Sequence, residues 1–271
     1  MAYLSDARTL TLADFARMKT AGEKVAMMTC YDSSFASLLE SCGVEILLIG
    51  DSMGNVLQGH ATTLPVTMEQ MVYHTACVAR GARRAFIMAD MPFGSYQEGP
   101  AQAMHNAARL MAAGAHMVKL EGSDYAVEAV RFLVERGVPV CGHLGLTPQS
   151  VHQLGGYRVQ GKSADAATKL KADAAALEQA GARFLVLEMV PSTLAAEIGE
   201  TSDAMLTIGI GAGVHCNGQV LVLHDAIGVY PGKRPRFSKD FMVGAGSIPE
   251  AIQAYVAAVK SQEFPGPEHS Y

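Results

Sequence analysis

The chain has 271 residues, 49% hydrophobic and 17% charged, which is apolar enough for a large core and too apolar for a disordered chain. A net charge of −5 speaks against nucleic acid or an anionic membrane surface as main partner, and no apolar run approaches the roughly 18 residues of a membrane span. The N-terminal stretch has acidic residues and no apolar signal core, and Cys30, Cys42, Cys77, Cys141 and Cys216 are widely spaced with no C-x-x-C pair, so a cytosolic protein with free, buried thiols is expected.

In chain order the first predicted element is an amphipathic helix, "TLADFARMK" at 11–19, with Thr11 as N-cap. Short apolar runs then recur: "KVAMMTCYD" near 24, "EILLIGD" near 45, "AFIMADMP" near 85, "MVKLEG" at 117, "PVCGHLG" near 139, "FLVLEMVP" near 184, "LTIGIGAG" near 206 and "VLVLHDAIG" near 220. Helical patterns fall between most of them, at 67–81, 101–113, 124–136 and 164–180, and a last one starts at 248. Near-continuous apolar strands alternating with helices predict a parallel sheet covered on both faces. Eight such units predict an α/β fold: a (β/α)₈ TIM barrel, one domain over 1–271, whose extra N-terminal helix closes the barrel bottom. A doubly wound open sheet is the alternative.

Five successive strands end on an ionisable residue: Asp51, Asp90, Glu121, His143 and Glu188. Counting back by twos aligns Glu188 with Val186 and Phe184, Asp90 with Met88 and Phe86, Asp51 with Ile49 and Leu47, and His143 with Cys141, which places all five inside the barrel rim. Lys119 and Glu121, two apart on one strand, share a face. Asp51 alone would more often be a cap or turn residue than a ligand, but Glu is a poor N-cap, and Ser123 or Asp124 and Ser192 are better caps after Glu121 and Glu188. Converging carboxylates repel unless a cation neutralises them. Lys119 supplies one charge, and oxygen-only ligands favour Mg²⁺ over zinc. Glu188, across the rim, is then free to act as a base. "GIGAG" at 209–213 fits a phosphate cradle or simple tight turns equally, and His215, His224 and Asp225 read as packed side chains. The Gly-rich stretch 144–163 lacks periodicity and is expected to form a lid.

The stretches "TCYDSSFA", "IGDSMGNVLQGHATTLPVTM", "ADMPFGSY", "VKLEG", "GHLGLTPQ", "GGYRVQGK", "LVLEMVP", "GIGAG", "VLVLHDAIG" and "PRFSK" together resemble the ketopantoate hydroxymethyltransferase family over residues 29–239. The resemblance implies a (β/α)₈ barrel, a homodecamer that uses Mg²⁺. It also implies transfer of a one-carbon unit from 5,10-methylenetetrahydrofolate to 3-methyl-2-oxobutanoate, with 2-dehydropantoate as product. Matched position by position, it implies Asp51, Asp90 and Glu121 on the metal and Glu188 as proton acceptor. Ser52 and Lys119 would contact the oxo acid together with the metal-bearing Asp51 and Asp90, and His143 would lie on the substrate side. A Mg²⁺-dependent 2-oxo-acid lyase or mutase on a similar barrel is the alternative enzyme, separated by its lack of a folate requirement. A non-catalytic oxo-acid-binding barrel is the alternative outside enzymes.

Overall fold

The computed structural model describes residues 8–229 and 234–271. Its strands are β1 (Val25–Thr29), β2 (Ile46–Ile49), β3 (Phe86–Asp90), β4 (Met117–Glu121), β5 (Val140–Gly145), β6 (Phe184–Glu188), β7 (Leu206–Ile210) and β8 (Gly218–Leu221). Neighbours pair in parallel and β8 returns to β1, so the sheet closes into the expected barrel and the open sheet is excluded. The helices in chain order are α1 (Leu12–Ala21), α2 (Ser33–Ser41), α3 (Met53–Val56), α4 (Met68–Gly81), α5 (Pro100–Ala112), α6 (Asp124–Glu135), α7 (Val151–Leu154), α8 (Ala164–Gln179), α9 (Ser192–Thr201), α10 (Leu223–Ala226) and α11 (Ile248–Lys260). With helices outside and side chains filling the interior, both faces of each strand are buried, and that is why the strands read as unbroken apolar runs.

Local chemistry sets the helix starts. Before α4, Thr67 and Gln70 bond reciprocally, each side chain accepting from the other's backbone N–H (3.3 and 2.8 Å). Before α1, the Asp14 carboxylate accepts from the Thr11 N–H at 2.8 Å and its hydroxyl at 2.7 Å. α1 then drives Phe15 into the bottom of the barrel, edge-on to Phe86 and Phe184 at 5.4 and 5.3 Å between ring centroids. Lys19 ties the same helix to the carbonyls of Ser202 and Met205 at 2.6 and 2.8 Å. The helix does close the barrel bottom.

Residues paired across a parallel ladder point the same way. The register therefore carries one interior set round the barrel: Leu48 beside Met88, Asp90 beside Lys119, Glu121 beside His143, His143 beside Val186, and Glu188 beside Ile210. The alternation predicted for four of the five rim residues holds. For Asp51 it does not: β2 faces Leu48 inward, so counting by twos from Leu47 and Ile49 sends Asp51 outward. The chain leaves β2 after Ile49, and Ser52 is already helical (φ −51°, ψ −16°), so the turn rather than the strand brings Asp51 to the cavity.

Three further expectations are corrected. β8 starts at Gly218, and Leu223–Ala226 is a helical turn rather than strand. Ser192 is the first residue of α9, with Pro191 at the cap position, and its N–H donates to the Tyr271 carbonyl at 2.8 Å. The stretch 144–163 is not structureless, because it holds the end of β5, a 3₁₀ turn at Pro148–Ser150 and α7. The five cysteines are free, and among the described residues no helix is long and apolar enough to cross a membrane.

Candidate active site

A cavity of about 580 Å³ opens where the strands end, and Asp51, Ser52, Asp90, Lys119, Glu121, His143 and Glu188 all line it. The Asp51 N–H donates to Asp90 Oδ2 at 3.0 Å. A Cβ at Gly50 would lie 2.7 Å from Ser52 Oγ, so a larger residue there would displace that hydroxyl. Asp90 Oδ1 is 3.1 Å from Lys119 Nζ, a charge contact without hydrogen-bond alignment. Lys119 Nζ is also 3.1 Å from His143 Nδ1, which in turn is 3.4 Å from Glu121 Oε1. On its other side, His143 Nε2 faces Glu188 Oε2 at 3.2 Å. Ser52 Oγ lies 3.0 Å from the Tyr31 hydroxyl. One chain of charges thus runs from Asp51 across the cavity floor to Glu188.

Burial shapes these groups. It pushes the Asp51 carboxyl well above the usual range, and Asp90 and Glu121 add like-charge repulsion; Asp90 is pushed up by burial too, against the pull of Lys119. Burial also opposes the Lys119 charge, but Asp90, Glu121 and Asp51 together hold its ammonium above its ordinary value. Glu121 stays below its ordinary value despite burial because His143 and Lys119 face it. Burial and Lys119 work against protonation of His143, yet Glu121 and Glu188 raise it to about 9.

The sequence reading missed Gln149 and Tyr96. Gln149, in the 3₁₀ turn, is buried, and its Nε2 donates to Asp51 Oδ2 at 2.8 Å. Tyr96 is fully buried in the segment after β3, and its hydroxyl donates to Gln149 Oε1 at 2.7 Å. Both end stretches quoted above, "ADMPFGSY" and "GHLGLTPQ", but no residue type or spacing singles them out there, because three separate loops build their contacts. Phe237, Arg236 and Tyr271 form an outer wall, with the Arg236 guanidinium 5.2 Å from the Tyr271 ring centroid. The cradle reading of "GIGAG" gives way to packing. Gly209 lies within β7, Gly211 (φ +63°) sits against Phe237 and Tyr271, and Gly213 (φ +83°) against Ser192. His224 packs on Tyr31 at 5.7 Å between ring centroids, whereas Asp225 reaches the cavity.

The three carboxylates expected on one ion do not form a ready cage: among the described residues no three His, Cys, Asp or Glu side chains are gathered closely enough. Glu121 is otherwise engaged, accepting the Gln149 N–H on Oε2 at 2.9 Å and facing His143 with Oε1. Asp51 and Asp90 fit a hard divalent cation better. They are adjacent, buried and all-oxygen, Asp90 Oδ1 lacks a hydrogen bond, and their charge exceeds what Lys119 balances. Mg²⁺ is commonly held by one or two carboxylates, with water and substrate oxygens completing its shell.

The fold is shared with 2,3-dimethylmalate lyase (TM-score 0.59, 13% identity, 93% of this chain and 96% of that one). It is also shared with a phosphonopyruvate hydrolase crystallised with oxalate and Mg²⁺ (TM-score 0.61, 12% identity, 81% and 84%). Sequence relatives are much nearer. A 3-methyl-2-oxobutanoate hydroxymethyltransferase of an Azoarcus species is 66% identical over the whole of both chains, and one of Aromatoleum aromaticum is 63% identical over the same span. The model of the ketopantoate hydroxymethyltransferase family matches residues 9–267. With that match and these identities, the chain belongs to the ketopantoate hydroxymethyltransferase family.

Proposed function

We propose that the protein transfers a hydroxymethyl unit from 5,10-methylenetetrahydrofolate to 3-methyl-2-oxobutanoate, giving 2-dehydropantoate, in a Mg²⁺-dependent step of pantothenate biosynthesis. The observation that carries this reading is the Asp51–Asp90–Lys119 cluster facing Glu188 across one buried cavity. In it, Asp51 and Asp90 hold Mg²⁺, and Glu121 stands behind them as a charge that His143 and Lys119 balance. When bound, the ion polarises the keto group of the oxo acid and offsets the negative charge that grows on its oxygen.

The chain's own residues supply the rest. Lys119 stays protonated among its carboxylates and pairs with the substrate carboxylate, while Ser52 Oγ donates to the same end of the molecule. Glu188 takes the C3 proton, and the electron pair of the broken C–H bond moves into the C2–C3 bond and onto the keto oxygen. His143 Nε2, 3.2 Å from Glu188 Oε2, holds that carboxylate in place. C3 then bonds to the methylene carbon of the folate as one of that carbon's C–N bonds breaks and its electron pair passes to nitrogen, which takes up the proton held by Glu188. Water breaks the second C–N bond, leaving its hydroxyl on the carbon and its other proton on the nitrogen, so that tetrahydrofolate departs. A small oxo acid fills only part of a 580 Å³ cavity. The outer wall of Phe237, Tyr271 and Arg236 suits a flat aromatic co-substrate. A cytosolic homodecamer acting on small molecules belongs to the same reading.

The test is NMR of 3-methyl-2-oxobutanoate in D₂O with Mg²⁺, with and without the folate donor. Wild type should exchange C3–H, and EDTA should stop it reversibly. Glu188→Gln should bind Mg²⁺ and the oxo acid nearly normally but exchange at least about 100-fold more slowly. Exchange at the wild-type rate in that variant removes Glu188 as the base, and full activity in EDTA removes the metal. Turnover without any folate requirement would favour the lyase or mutase alternative.

A further inference from the structure

Gln149 is the polar side chain on which the cavity's supporting contacts converge. Its Nε2 donates to Asp51 Oδ2 at 2.8 Å and to the Met91 carbonyl at 3.0 Å. Its Oε1 faces the Tyr96 hydroxyl at 2.7 Å and Gln97 Nε2 at 3.3 Å, and its backbone N–H donates to Glu121 Oε2 at 2.9 Å. One residue of the loop after β5 therefore bonds to the segments after β2 and β3 and to the end of β4.

The amide has one workable orientation. The β3–β4 ladder opens at the rim. Lys119 C=O still accepts from the Met91 N–H, but the Glu121 N–H, two residues on and on the same side, goes to the Tyr96 hydroxyl at 3.0 Å. The Met91 carbonyl accepts from Gln149 instead. Tyr96 has one proton. The Glu121 carbonyl at 3.2 Å already receives the Tyr125 hydroxyl at 3.0 Å, so the Tyr96 proton goes to the shorter contact, Gln149 Oε1. With Oε1 facing two donors, Nε2 must face Asp51 and Met91, both acceptors. Asp51, Met91 and Tyr96 are buried and Gln97 is half-buried, so a reversed amide would leave unpaired polar atoms in the interior.

We infer that Tyr96 and Gln149 are positioning residues for the divalent cation. Tyr96 fixes the amide of Gln149, and Gln149 fixes the Asp51 carboxylate through its side chain and one oxygen of Glu121 through its backbone N–H. The inference rests on the assignment of Asp51 and Asp90 as metal ligands above. Its physical basis is that a buried carboxylate with one oxygen pinned presents the other in one direction, and loss of such an outer partner lowers metal affinity. The turn carrying Gln149 also opens the predicted lid, so the loop is tied to the metal carboxylate at its base.

The test is titration of the metal-free protein with Mn²⁺ alone, read by the electron paramagnetic resonance of the free ion, with Mg²⁺ as competitor. Gln149→Met keeps length and volume but removes donor and acceptor. It should bind Mn²⁺ about 10–100-fold more weakly than wild type. Tyr96→Phe keeps the ring and removes the orienting proton, and should weaken binding about 10-fold, the lower end of that range. A folded Gln149→Met protein with wild-type Mn²⁺ affinity overturns the inference, even if its thermal midpoint falls, because that pattern is purely structural. If Gln149→Met does not fold, unchanged affinity in Tyr96→Phe overturns it. The underlying reading has its own control: Asp51→Ala should abolish Mn²⁺ binding. If Asp51→Ala binds normally or wild type binds no ion, the metal assignment falls and the inference with it. If that control behaves and the Gln149 and Tyr96 variants bind normally, only the inference falls.

Discussion

Carboxylates around one cavity differ according to what each side chain faces. Glu121 has a backbone donor, an imidazole and a lysine, and it stays ionised although buried. Asp225 lines the same cavity, but burial pushes it up to about 6 and Arg234 only partly restores its charge. The folded state thus holds this proton more tightly than the unfolded chain, where Asp titrates near 3.8. Between those values the folded protein binds more protons, so its stability falls as pH rises through that window and the penalty persists above it. A shift of roughly two units is worth at most about 3 kcal/mol, and less where some solvent reaches the group. Asp225→Asn should therefore flatten the slope and be about 1–3 kcal/mol more stable than wild type near neutral pH. Urea titrations across the window check this, and parallel profiles for the two proteins would show that Asp225 titrates at its ordinary value. At this scale the sequence was readable where strand alternation applies, as for Lys119 with Glu121 and for Glu188. It misled at Asp51, where a turn resets the phase, and did not single out Gln149 within "GHLGLTPQ", because its partners come from three distant segments.

The loop after β5 combines a fixed base with an exposed middle. Leu146 N–H donates to the Glu188 carbonyl at 2.8 Å and Gln149 N–H to Glu121, while Gln160 N–H at the far end donates to the Met189 carbonyl at 2.9 Å. Gly145 has φ +91°, and a Cβ there would meet the Glu188 carbonyl at 2.2 Å, so only glycine lets the loop lie this close to the proposed base. Between the anchors, His152, Gln153, Tyr157 and Arg158 are exposed, and Tyr157 reaches the cavity mouth. A lid made of the whole of 144–163 is therefore too broad. Hydrogen exchange should find the Leu146, Gln149 and Gln160 amides protected with or without ligand. The stretch 152–158 should exchange fast alone and become protected when oxo acid, Mg²⁺ and folate are bound. Equal exchange in both states would make it a static surface loop. The sequence marked this segment by its glycines and lack of period, but anchoring by single backbone bonds leaves no pattern in residue types.

At the scale of the whole molecule, the parallel barrel separates what stabilises it from what reacts. All strands end at one rim, where buried like charges are gathered, while the opposite end is sealed by α1 with Phe15 against Phe86 and Phe184. Conservative loss of charge at the rim should relieve repulsion, whereas loss of volume at the bottom removes packing. Phe15 is fully buried, so Phe15→Ala leaves a cavity among rings that cannot collapse far, at a cost of about 3–5 kcal/mol. The rim lies at the far ends of the strands, and no polar contact of Asp51, Lys119 or Glu188 passes through α1 among the described residues. Distant sites without shared partners act independently. The variant should then melt well below wild type yet, at a temperature where both are folded, exchange the C3 proton at an unchanged rate with an unchanged KM for the oxo acid. A fall in that rate of more than about threefold, beyond the few tenths of a kcal/mol by which independent sites depart from additivity, would mean that the barrel transmits packing at its floor to the carboxylates at its rim.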